Sequence, residues 1–137
     1  MTSVELHLRI VGLMLLLLVP VNLAAARRFN WRQEIGQLSL FTRQVFVVHM
    51  AFILLILVLF AGLCLGFTRE LTTPSPLARG VLGGLTVFWA ARLACQWLYY
   101  DVAVWRGNRF NTVVHVVFTA TWAYFVGTFG YALYRVC

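Results

Sequence analysis

The sequence has no lysine, four acidic side chains and three cysteines in 137 residues, and each shortage excludes something. With so few acids there is no carboxylate pair within an apolar stretch. No serine or cysteine stands beside a base, and neither HExxH nor a glycine-rich phosphate loop occurs, so no catalytic motif identifies an enzyme. Cys64, Cys95 and Cys137 leave an odd thiol and show no CxxC or mixed Cys/His spacing, which argues against a disulfide framework and against a zinc site. The eleven basic residues are all arginines, but they mostly mark the ends of apolar blocks and do not form the stripe that a nucleic-acid partner requires. Internal repeats, low-complexity tracts and long linkers are missing as well, which leaves no room for a separate soluble module.

What the chain does have is hydrocarbon. It is 62% hydrophobic and 11% charged, with a mean hydropathy of +0.86, whereas a soluble domain is about 45 to 50 % apolar and about 25 % charged. The apolar residues fall in four blocks, 10–26, 45–67, 77–100 and 112–133. Each meets the length of about 17 to 25 residues that a helix needs to cross a bilayer. Uninterrupted runs of this kind lack the alternation of barrel strands, and a bilayer requires the backbone to satisfy itself internally. The expectation is an all-α integral membrane protein, a four-helix bundle of up-down topology in which residues 1–137 make a single transmembrane domain.

The first block contains Pro20 and Asn22 and ends in Ala24-Ala25-Ala26, which resembles the small-residue end of a cleavable signal peptide. Its flanks favour a retained anchor: Glu5 and Arg9 cancel before it, and Arg27, Arg28 and Arg32 follow it. Of the connections, the first and third carry six arginines, and the opposite side carries Arg9, Arg69, Arg79 and Arg135. Cytoplasmic loops are enriched in basic residues, so the multi-pass chain is expected in a bacterial inner, cytoplasmic membrane with both termini outside.

Local signals refine the picture. Ser75-Pro76 reads as a helix N-cap followed by a first-turn proline. Gly62 with Gly66, and Gly80 with Gly84, have the spacing at which membrane helices approach closely. The first connection mixes Phe29, Trp31, Leu38 and Phe41 with charges and suits an interfacial segment, where Trp31 and Trp105 serve as anchors.

Polar and ionisable groups inside a span are costly and usually face a bundle interior or a pathway. His49, Arg92, Gln96 and His115 all lie about 6 to 12 Å inside the same face, counted by helix rise. Trp89, Arg92, Gln96 and Tyr99 or Tyr100 recur at offsets of three and four, as do Asn111, His115, Thr119 and Trp122, so each set forms one stripe. The candidate ligand site is therefore His49, Arg92, Gln96 and His115 with Trp89 and Tyr100, and Arg43 at its entrance. A quinone would hydrogen-bond His49, His115 and Gln96 and pack on Trp89, Trp97 or Tyr100, in the manner of apolar pockets with few placed polar groups. An anionic lipid headgroup would be held by Arg92 and Arg43. Haem b would take His49 and His115 as axial ligands, although no glycine near either makes room for a porphyrin edge. The reading from a different class is a structural or accessory subunit of a larger membrane complex. Its partners would be the lipid bilayer and other membrane proteins or further copies of itself.

Overall fold

The computed structural model describes residues 1–99 and 107–137, and among them every regular element is a helix. They are α1 (Ser3–Arg28), α2 (Trp31–Gly36), α3 (Leu40–Gly66), α4 (Thr68–Thr72), α5 (Pro76–Leu98) and α6 (Arg109–Val136). Each apolar block lies within one long helix apart from its last residues, Phe67 in the second and Tyr99 and Tyr100 in the third. Phe67 and Tyr99 cap α3 and α5, and Tyr100 lies outside the described residues.

Sequence chemistry fixes the boundaries. The Ser39 side chain accepts from Thr42 N at the start of α3, Ser75 does the same from Ala78 N ahead of Pro76, and Asn108 from Asn111 N ahead of α6. Each satisfies one of the amide groups that a helix start leaves without an intrahelical partner. Asn30 leaves α1 in the left-handed region at φ 57, a conformation asparagine tolerates better than most residues. Pro20 sits inside α1 and has no N–H to give. Two residues on, the Asn22 amide donates to the Leu18 carbonyl at 2.7 Å.

The chain packs as two compact units, one made of Met1–Leu8 with Arg69–Cys137, the other of Arg9–Thr68. In the first, α5 and α6 lie against each other along their length. They run antiparallel, since Arg79 Nε at the start of α5 donates to the Val136 carbonyl at 3.0 Å and Gln96 near its end meets His115 near the start of α6. Ala78, Leu82, Leu85, Trp89 and Gln96 are buried on α5, and His115, Trp122, Phe125, Phe129, Ala132 and Val136 on α6. Apart from Thr128, also buried beside Phe129, both series advance by threes and fours, or by the seven that they sum to, as on the packed face of a helix. A Cβ at Gly130 would lie 3.8 Å from Thr86 Cγ2, in ordinary contact across that seam.

In the second unit, the glycine most closely approached is Gly12, where a Cβ would come within 2.7 Å of Leu65 Cγ and 3.1 Å of Cys64 Cβ. The glycine pairs singled out by spacing are open: a Cβ at Gly62, Gly66, Gly80 or Gly84 meets nothing within 4 Å. Spacing shows that two glycines share a helix face, but not what that face meets.

Four helices, α1, α3, α5 and α6, are long and apolar enough to cross a membrane. Of the 27 residues of α3 only Leu57, Ala61 and Cys64 are buried, while Phe52 is 59% and Leu59 57% exposed. Apolar exposure on this scale suits hydrocarbon and not water, consistent with a multi-pass membrane protein.

Candidate functional site

The stripes read from the sequence converge where α5 meets α6. Gln96 Nε2 and His115 Nδ1 are 2.9 Å apart, with both side chains buried. An amide nitrogen can only donate, so His115 Nδ1 accepts and the ring proton sits on Nε2. The Trp97 ring stands edge-on to the His115 ring, with centroids 4.7 Å apart. One turn further into the seam, the Arg92 guanidinium carbon lies 5.1 Å from the centroid of the Trp122 ring, within the range of a cation–π contact. Trp122 also stacks on Trp89 at 5.1 Å and 17° and on Phe118 at 5.5 Å and 11°. Trp122 Nε1 and Thr119 Oγ1 are buried without a hydrogen-bond partner among the described residues. Trp89, Arg92, Gln96 and His115 are thus brought together in one unit, as a hydrogen-bonded polar pair beside a stacked aromatic core.

The other predicted residues are not part of the described portion of this unit. His49 and Arg43 belong to the unit Arg9–Thr68, and Tyr100 lies outside the described residues, as does Trp105. His49 is exposed and its Nδ1 donates to the Val45 carbonyl at 2.7 Å, one turn back on α3. Its Nε2 therefore keeps a lone pair, whereas the His115 tautomer places a proton on Nε2 and offers none there. Among the described residues no group of three or more His, Cys, Asp or Glu side chains is placed to hold a metal ion.

Room for a ligand appears around Arg43. A cavity of about 810 Å³ opens between the end of α1, α2 and the start of α3, within the range of about 300 to 1,000 Å³ of small-molecule sites. Arg27 from the last turn of α1, Arg32 from α2 and Arg43 from α3 line it, with Asn22 and Asn30 as neutral polar groups. Its apolar wall includes Leu23, Phe46, Met50 and Leu54, and Trp31 is held edge-on against Phe46 with centroids 6.3 Å apart. Among the described residues none of these three arginines forms an ion pair.

Sequence reasoning found Arg43 but not its companions. The available signal was four arginines and one tryptophan within residues 27–43, against the single acid Glu34; it was read as a marker of orientation and as interfacial anchoring. A second feature it missed is His7, whose Nδ1 lies 2.7 Å from the Tyr124 hydroxyl of α6 beside a cavity of about 380 Å³.

Compared with protein-family models, with curated proteins and with solved structures, the chain matches none.

Proposed function

We propose that the four long helices cross a bacterial cytoplasmic membrane as an up-and-down bundle with both termini outside, and that the protein binds the anionic headgroup of a membrane lipid in the cavity between α1, α2 and α3. The observation that carries this reading is the set of three arginines, unpaired among the described residues, at a cavity whose remaining wall is largely apolar. Guanidinium groups bind phosphate through paired, charge-assisted hydrogen bonds. Basic pockets between membrane helices on the cytoplasmic side are suited to lipid headgroups, and the arginine bias assigns this connection to that side. Arg43 is also the fourth residue of α3, where the helix dipole disfavours a cation and favours an anion. A quinone headgroup would leave all three charges uncompensated, which ranks it below an anionic lipid in this cavity.

Native mass spectrometry after purification in a neutral detergent tests the reading. Anionic phospholipid is expected to stay with the wild-type protein and to leave the Arg27→Gln, Arg32→Gln, Arg43→Gln triple variant, with helical circular dichroism unchanged. Retention of a neutral quinone in its place, or equal retention of anionic lipid by the triple variant, overturns it.

A second reading, an accessory subunit or a homo-oligomer with no ligand of its own, draws support from the Gln96–His115 pair, whose partners bond each other as polar groups do between membrane helices. It expects substitutions on the exposed face of α3, such as Phe52→Ala with Leu59→Ala, to disrupt assembly seen by cross-linking. Arginine substitutions would leave assembly intact.

A further inference from the structure

We infer that the ligand of the α1–α2–α3 cavity carries two phosphate groups on one hydrocarbon-bearing molecule; this rests on the lipid-headgroup reading above and narrows it. The first ground is charge. Arg27, Arg32 and Arg43 come from three separate helices, and Glu34, the acid of this segment, pairs with none of them. At the edge of a bilayer an uncompensated charge is expensive, and one phosphodiester, with a single negative charge, would balance one of the three. Two phosphates bring at least two negative charges and enough oxygens for the three guanidinium forks to engage bidentately.

Shape is the second ground. The arginines line the cavity from three elements, the end of α1, α2 and the opening turns of α3, and not from a single one. A volume of about 810 Å³ is that of a ligand of many heavy atoms and not of one ion. From the mouth, Phe46, Met50 and Leu54 follow one another at spacings of four, which places them on one face of α3. Eight residues of helix rise carry that apolar track about 12 Å along α3. A headgroup at the arginines with its chain along this track satisfies both halves of the lining.

The shared chemistry comes from two lipid sources, a polyprenyl diphosphate with linked phosphates or a diphosphatidyl lipid with separated ones, and from free diphosphate. Five probes separate them in native mass spectrometry titrations of the full chain in neutral detergent: polyprenyl diphosphate, polyprenyl monophosphate, diphosphatidylglycerol, phosphatidylglycerol and inorganic diphosphate. At least one two-phosphate lipid is expected to bind about tenfold or more tightly than its one-phosphate counterpart, as loss of a charge-assisted contact predicts. Arg27→Gln, Arg32→Gln and Arg43→Gln should each shrink that ratio, while thermal unfolding without lipid stays unchanged. Whichever of the two lipids shows the larger ratio identifies the source. Equal binding of one- and two-phosphate lipids overturns the two-phosphate inference and leaves the headgroup reading standing. Absence of binding by every lipid overturns the headgroup reading itself. Inorganic diphosphate binding as tightly as the lipids overturns the assignment of the apolar track to a chain.

Discussion

Gln96 and His115 are buried and joined at 2.9 Å across α5 and α6, so their worth appears only when one is removed without the other. Gln96→Leu removes the buried bond to His115 Nδ1 and is expected to destabilise the protein by about 1 to 3 kcal/mol. The double variant Gln96→Leu with His115→Phe strands neither and should cost less than the sum of the single changes. Thermal unfolding of the four proteins in one detergent measures the coupling, and simple additivity would show that the bond contributes nothing. Glycine gives a second contrast at this scale. Gly12→Val must displace Leu65 and is expected to cost about 1 to 3 kcal/mol. Gly62→Ala and Gly80→Ala enter open space and should leave the melting temperature almost unchanged. The stripes Trp89–Arg92–Gln96 and His115–Trp122 were legible because helical period alone determines which residues share a face. His49 was not legible in the same way: its depth follows from residue counting, but its bond to Val45 O and its exposure depend on rotamer and neighbours.

The elements themselves show where local sequence is sufficient. Long helices were readable because about 20 apolar residues in succession have one solution in a bilayer, and the starts of α3, α5 and α6 each carry a side-chain cap. Ser75→Ala, which removes the acceptor for Ala78 N at 3.0 Å, is expected to cost about 1 kcal/mol. Ser75→Asp should restore most of that loss, and no Tm shift in either variant would mean that Pro76 alone starts the helix. The short helices α2 and α4, of six and five residues, escaped the sequence reading. A single turn or two is too short for periodicity to distinguish from a loop, and helices of that length exist by tertiary packing, not propensity. The cavity escaped for the same reason, since its walls depend on how α2 folds back towards Phe46. The arginines were counted, but the turn that gathers them could not be.

At the scale of the whole molecule the proposed bundle and the proposed ligand depend on a common assignment of sides. If the first connection faces the cytoplasm, the arginine cavity opens on the inner leaflet, and the six-to-four arginine bias and the lipid site are two results of the same charges. Cysteine accessibility tests this in intact cells. Cys137 is exposed at the end of α6, and in a background with Cys64→Ala and Cys95→Ala it is the remaining thiol. A membrane-impermeant maleimide is expected to label Cys137 from outside, and to label a cysteine introduced at Gln33, with Cys137→Ser added, after lysis alone. The two positions must respond oppositely, because an odd number of spans separates the first connection from the C-terminus in a four-span chain. Labelling of both from the same side would remove the four-span topology. An exchange of sides would keep the topology and move the arginine cavity to the outer leaflet, and a lipid confined to the inner leaflet could no longer be its ligand.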